Sequence, residues 1–215
     1  MSSKPLVKFE KIAEEHPYFL DPEEYPNWRE QFGNDHPLVF DIGFGNGNFL
    51  LDMAVRHPEW NFIGMDFYHK GIRRLFMRLD RHQLTNIRIV YGDAREKVPF
   101  LFREGELSDV YINFPDPWPK KRHHKRRLVK PDMVRSLTGK LQAEGRLRVA
   151  TDFEPYAMEI LEILSAEPGL RNVHPAPGYT HQREDTPRSK YEKNFLKAGK
   201  TIYYFDFIKP HPAGH

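Results

Sequence analysis

From Pro37 onward the chain alternates between short apolar runs and stretches in which apolar residues recur every three or four positions. Pro37 to Ile42 is a run of strand length that ends in glycines, and Phe49 to Val55 continues at helical spacing, which predicts a strand, a tight turn and a helix. The alternation repeats with a strand over Asn61 to Asp66, a helix over His69 to His82, a strand over Ile87 to Tyr91, a helix over Arg95 to Arg103 and a strand over Asp109 to Phe114. A helix near Pro131 to Leu141, a strand over Gly145 to Ala150 and a helix over Glu154 to Ser165 follow, and strands near Arg171 to His174 and Thr201 to Ile208 close the series. Strand-helix repetition of this kind predicts an α/β fold with a parallel sheet wrapped by helices.

Two segments break the alternation. Residues 1–36 hold Pro5, Pro17, Pro22 and Pro26 among charges and aromatics, and read as an irregular arm with one helical turn over Trp28 to Phe32, ahead of a domain over 37–215. Pro175 to Pro187 is a long polar loop, functional or mobile, before a charged helical stretch over Ser189 to Lys197.

The turn after the first predicted strand reads Asp41-Ile42-Gly43-Phe44-Gly45-Asn46-Gly47, at the position where α/β sheets bind nucleotides. A dinucleotide fold wants G-x-G-x-x-G and a helix N-terminus free to receive pyrophosphate; here the spacing is G-x-G-x-G, led by an acid. A carboxylate repels phosphate and attracts an ammonium or a sulfonium, and S-adenosylmethionine carries both. Asp66 ends the second strand, placed for two ribose hydroxyls, and Asp93 follows the third, placed for an adenine amino group. The bland readings are a tight loop and helix caps, and a nicotinamide enzyme is the rival ligand class.

Composition sharpens this. The net charge of the 215 residues is only +3, yet Lys120, Lys121, Arg122, Lys125, Arg126 and Arg127 crowd six positive charges into eight residues, and without them the chain stands at −3. The positive field then reads as one local feature meeting a polyanion. Six phosphate contacts would give log affinity a slope against log salt of roughly −4 to −5. The run follows Phe114-Pro115-Asp116-Pro117-Trp118, where two prolines restrict the backbone around Asp116 and Trp118 offers a face for a base or simply packs inward. His123 and His124 have no acidic or Cys neighbours at ligand spacing, so no metal is expected. The absence of cysteine excludes disulfides and thiol nucleophiles, including those used in methylating C5 of a pyrimidine, and suits a reducing cytoplasm. No stretch nears the roughly 20 apolar residues of a membrane span.

Asp41-x-Gly43-x-Gly45-x-Gly47, Phe114 to Arg127, Thr151-Asp152 and Ser189-Lys190-Tyr191-Glu192 together resemble the bacterial tRNA (guanine-N7-)-methyltransferases, from about Trp28 to Ile208. The resemblance implies the class I S-adenosylmethionine-dependent methyltransferase fold, doubly wound and mostly parallel, with seven strands and an antiparallel last strand. It implies 7-methylguanosine in the tRNA variable loop as product. Carried onto this chain, the cofactor positions are Asp41, Asp66, Asp93 and Asp116, with Asp116 also catalytic. The substrate positions are Lys120, Asp152, Ser189, Lys190, Tyr191 and Glu192, and the RNA-contacting run is Arg122, His123, His124, Lys125, Arg126 and Arg127. The family commonly has Glu where this chain has Asp41 and Thr where it has Ser189. Asp152 also reads as a helix N-cap, and Ser189 with Glu192 as a capping box. Two other classes stay open on residues alone: an NAD-dependent oxidoreductase and a non-catalytic RNA-binding module. A monomer and a homodimer are equally compatible with the sequence.

Overall fold

The computed structural model describes residues 16–22 and 24–211, without the side chain of Lys190; residues 1–15 of the arm and 212–215 lie outside it. Strands β1 (Phe19–Leu20), β2 (Leu38–Ile42), β3 (Asn61–Asp66), β4 (Ile87–Tyr91), β5 (Leu107–Asn113), β6 (Leu141–Thr151), β7 (Arg171–Asn172) and β8 (Tyr203–Ile208) form one sheet in the order β1-β4-β3-β2-β5-β6-β8-β7. All neighbours through β6 pair parallel, and β8 runs antiparallel to both β6 and β7. The helices are α1 (Trp28–Phe32), α2 (Asn48–Arg56), α3 (His69–His82), α4 (Ala94–Leu101), α5 (Pro131–Lys140), α6 (Glu154–Ser165) and α7 (Lys190–Lys197). The seven expected strands are present, and β1 adds an eighth at the edge.

Every residue of β2 and β3 is buried, because helices cover both faces of the sheet. Alternation along β2 sends Leu38, Phe40 and Ile42 into a core shared with α4, α5 and α6, and Val39 into a second core shared with α2 and α3. Trp28 of α1 is buried, stacks on Phe102 at 5.6 Å and donates from Nε1 to the Leu101 carbonyl at 2.9 Å. The segment ahead of β2 therefore packs into the sheet's own core, alongside the pairing of Phe19 with Ile89.

The chain leaves β2 for β3 and β4 on one side and comes back to β5 on the other, so β2 and β5 part at the topological switch point where such sheets hold ligands. The acid-bearing ends of β2 and β3 and the Asn113 end of β5 all open onto this edge. The glycine turn closes it from one side: Gly43, Gly45 and Gly47 have φ of 77°, 59° and 68°, values that side chains rarely take. Gly71 of α3 lets that helix approach so closely that a Cβ there would lie 2.0 Å from the Gly45 carbonyl oxygen.

Candidate functional site

The crevice has two lobes of about 350 and 480 Å³ that share Gly43 and the segment Asn113–Asp116. The first lobe is lined by Asp41, Phe49, Asp152, Ser189, Tyr191 and Phe195 among others, and the second by Asp66, Phe67, Asp93, Trp118 and Arg126. Of the candidate residues, Asp41, Gly43, Gly45, Asp66, Asp93, Asp116, Arg126, Asp152, Ser189 and Tyr191 thus meet at one hollow.

Asp41 is 2% exposed, and among the described residues neither of its carboxylate oxygens has a hydrogen-bond partner. Burial, then the charge of Asp66, pushes its carboxyl up to about 8 from 3.8, with Arg183 pulling it down. A buried, unsatisfied carboxyl lining a cavity can, once ionised, take a positively charged group as its partner. Asp66 is better provided for: its Oδ2 accepts from the Gly45 amide at 2.6 Å and its Oδ1 from the Tyr68 amide at 2.8 Å. Burial still raises its carboxyl, against those bonds. With the Phe67 amide also bearing on it, the carboxylate still keeps acceptor capacity for a ligand hydroxyl. Asp93 caps α4 through the Arg95 amide at 2.9 Å, and its carboxylate pairs with the Arg95 guanidinium, which holds it below the usual range.

Asp116 lines both lobes from a rigid loop. Phe114 and Trp118 bracket it with φ of 54° and 43°, Pro115 and Pro117 fix the positions between, and the Phe114 amide is tied to the Ala150 carbonyl at 2.8 Å. Non-glycine residues in the left-handed region carry strain that the surrounding structure must hold, a feature concentrated at functional sites. Trp118 does not present a free face on both sides: the Arg126 guanidinium lies over it at 5.0 Å and His123 meets it edge-on at 5.7 Å.

Several expectations change. The basic run folds into a 3-10 turn, Lys121–Arg126, with Arg122, Lys125 and Arg126 exposed and His123 and His124 half-buried. Arg127 is not part of that surface. It is 2% exposed, pairs with Glu159, donates from Nε to the Pro117 carbonyl at 2.8 Å and stacks on Tyr156 at 4.6 Å, so it pins the turn to α6 rather than facing an RNA. Glu192 is not at a substrate edge either. It is fully buried; Oε2 accepts from the Ser189 amide and from Arg183 Nη2, both at 3.2 Å, and Oε1 from the Tyr204 hydroxyl at 2.7 Å. It forms a capping box with Ser189, whose hydroxyl accepts from the Glu192 amide at 3.1 Å. Gly47 is buried as the N-cap of α2 and lines neither lobe. Lys120 is exposed and also lines neither lobe, while the Lys190 side chain lies outside the described residues. Asp152 is half-buried at the rim of the first lobe, with Lys200 Nζ at 2.5 Å.

Arg183, from the long polar loop, is the residue the sequence did not single out. Its Nη1 donates to Asn113 Oδ1 at 3.1 Å, its Nη2 reaches Glu192, and its guanidinium lies over Tyr204 and Phe49 at 4.9 and 5.5 Å. It therefore joins the loop, α7 and the end of β5 behind the first lobe. Among the described residues, no group of three or more His, Asp or Glu is gathered as for a metal ion, and no helix is long and apolar enough to cross a membrane.

The chain matches the family model described as "Putative methyltransferase" over residues 35–205. The tRNA (guanine-N(7)-)-methyltransferase of Leifsonia xyli subsp. xyli (strain CTCB07) is 43% identical over 176 residues, 82% of this chain and 78% of that one. The protein of the same name from Geobacter metallireducens (strain ATCC 53774 / DSM 7210 / GS-15) is 37% identical over 196 residues, 90% of this chain and 93% of that one. Among solved structures, the 16S rRNA methyltransferase KamB aligns with a TM-score of 0.62 at 13% identity, over 87% of this chain and 96% of that one. The aminoglycoside resistance methyltransferase NpmB1 aligns with a TM-score of 0.54 at 17% identity, over 84% and 91%. These likenesses place the sheet in the class I methyltransferase fold, and on the sequence match the chain belongs to the tRNA (guanine-N(7)-)-methyltransferase family.

Proposed function

We propose that this protein transfers the methyl group of S-adenosylmethionine to N7 of a guanosine in the variable loop of tRNA. The observation that carries the reading is the unsatisfied Asp41 carboxyl in a crevice that also holds Asp116, with an exposed basic turn at its rim. Asp41 supplies the counter-charge for a cationic ligand in the first lobe, and Asp66 the acceptors for ribose hydroxyls in the second. Asp93, already paired with Arg95, bounds the second lobe at its adenine end. When bound, S-adenosylmethionine supplies an electrophilic methyl group.

Guanine N7 has an in-plane lone pair and no proton at neutral pH, so the acceptor asks for no general base. What this chain contributes is alignment and electrostatics. Asp116 faces both lobes and compensates the positive charge that appears on an N7-alkylated base. Asp152, Ser189 and Tyr191 line the wall where the base enters, and Lys121, Arg122, Lys125 and Arg126 meet phosphates at the rim.

Incubation with labelled S-adenosylmethionine and unmodified tRNA should place the label in 7-methylguanosine; label in another nucleoside would overturn the acceptor while sparing the fold. Asp116→Asn should lower kcat roughly 10- to 100-fold, about 1.4 to 2.7 kcal/mol, with little change in the Kd for S-adenosylhomocysteine. Wild-type turnover in that variant would remove the role given to Asp116.

A further inference from the structure

The 3-10 turn is not the only concentration of positive charge. Lys70, Arg73, Arg74, Arg78 and Arg81 of α3 stand against a single acid, Asp80, within His69–His82. Their spacing of three and four puts them on one side of the helix, opposite the buried Ile72, Leu75, Phe76 and Leu79. Lys70, Arg73, Arg74 and Arg81 are exposed and Arg78 is half-buried. The stripe runs ~16 Å along the helix at 1.5 Å per residue.

These cations are without close ion pairs, although the Asp52 carboxylate acts on Arg78 from beyond pairing distance. Among the described residues none of the five has a carboxylate within ion-pairing distance, and Asp80 is turned to His16 at 3.3 Å. Several arginines elsewhere in the domain are matched, Arg95 with Asp93, Arg127 with Glu159, Arg148 with Asp206 and Arg183 with Glu192, whereas among the described residues the exposed arginines of the 3-10 turn are not. At its N-terminal end the stripe also runs against the preferences of its own helix, although Arg81 in the last turn does not. The first turn of α3 contains no acid, it contains Lys70, and the N-cap Tyr68 gives no side-chain bond. Positive charge at a helix N-terminus opposes the helix dipole and lowers stability. Local preferences broken without local compensation mark surfaces kept for binding.

The stripe lies beside the crevice. Arg74 Nη1 donates to Asn46 Oδ1 at 3.3 Å and Arg78 Nη1 to the Asn46 carbonyl at 3.1 Å, and Asn46 lines the first lobe. The stripe therefore begins at the lip of the crevice. The apolar face of α3 packs in the core on one face of the sheet, whereas Leu128 and Val129, just after the 3-10 turn, pack in the core on the other. Two unpaired cationic surfaces thus flank the strand-tip crevice from opposite faces of the sheet.

We propose that the solvent face of α3 is a second RNA-binding surface, which takes the phosphate backbone of the same tRNA on the side of the crevice away from the 3-10 turn. The inference rests on the reading of the crevice as a tRNA methylation site. A polyanion laid across the strand tips touches both surfaces at once, and neither alone holds it in register over Asp116.

The test is the salt dependence of tRNA binding to the full chain, for Lys70→Gln/Arg73→Gln/Arg81→Gln and, separately, for Lys121→Gln/Arg122→Gln/Lys125→Gln. Arg74 and Arg78 are spared because they hold the glycine turn. At roughly 0.7 to 0.9 per lost phosphate contact, the α3 triple should flatten the slope of log K against log salt by about 2. Its Kd for tRNA at moderate salt should rise about tenfold or more, with the Kd for S-adenosylhomocysteine unchanged. Lys70→Arg/Arg73→Lys/Arg81→Lys should keep the wild-type slope, which separates charge from folding. An unchanged slope in the α3 triple, beside a flattened one in the 3-10 triple, would overturn the inference, leave the tRNA reading intact and leave α3 to solvent or a protein partner. Weaker binding at an unchanged slope would also overturn it. Wild-type slopes in both triples would sink the tRNA reading together with the inference.

Discussion

Asp41→Asn should make the ligand-free protein more stable at pH 8 while weakening its hold on S-adenosylmethionine about 100-fold or more. The carboxyl titrates near 8 in the folded protein and near 3.8 in the unfolded chain, chiefly because it is buried and secondarily because Asp66 is close. Between about pH 4 and 8 the folded state keeps a proton that the unfolded state has released. Stability therefore falls as pH rises through that window, by at most about 1.4 kcal/mol per pH unit, and levels off above it. Asparagine removes this loss and incurs a smaller one, about 1 to 3 kcal/mol, for a buried amide with no partner. The melting temperature of the empty variant at pH 8 should then exceed that of the wild type by on the order of 5 °C.

Cofactor binding runs the other way. A cation seated beside Asp41 requires the ionised form, so each binding event below pH 8 expels a proton. Wild-type affinity should rise about tenfold per pH unit between roughly pH 6 and 7.5, and that of the variant should stay flat. Calorimetry in buffers of different ionisation enthalpy reads the proton directly. A flat wild-type profile, or a variant that melts earlier, would mean that Asp41 is not the socket.

The fold was legible because burial on both faces leaves a plain mark: β3, β4, α3 and α6 fall where the apolar runs and helical spacings put them. The start of β6 was hidden. Leu141 already pairs with Leu107, but the register shifts before Asp109 meets Arg146, and Glu144 takes a φ of 64°, so the intervening residues read as a turn. The acids at strand ends were legible for a similar reason: topology brings strand tips together whatever the intervening sequence. What sequence did not reveal is which charges are buried, because burial depends on partners far along the chain. Arg127 finds Glu159 on α6, and Glu192 finds Arg183 and Tyr204, and nothing local to any of them predicts it. The α3 stripe is the opposite case. Its spacing was in plain view, but a summed net charge hid it, and the positive field is two features rather than one. Family membership, finally, decided between a methyltransferase and the nicotinamide and binding-module readings that the glycine turn alone left open.

Arg183→Met should cost about 3 to 5 kcal/mol of stability, the usual consequence of leaving one member of a buried ion pair behind. That corresponds to a melting temperature lower by roughly 10 °C for a domain of this size. Glu192 would keep the Ser189 amide and the Tyr204 hydroxyl, but its nearest remaining cation among the described side chains, Arg188, lies at 3.9 Å and is half exposed. Arg183→Met/Glu192→Gln removes both charges and should regain most of the loss, leaving a coupling of a few kcal/mol in the double-mutant cycle. A merely structural Arg183 would leave nothing further to measure once stability is restored. Here a second effect should persist, because Arg183 is also the cation that holds the Asp41 carboxyl down against burial and Asp66. In the double variant the midpoint for S-adenosylmethionine binding should move above 8, with weaker affinity at pH 7 and convergence toward the wild type at higher pH. Recovery of both the melting temperature and the wild-type pH profile would reduce Arg183 to a brace; recovery of the first without the second makes it the residue that sets when the Asp41 socket is charged.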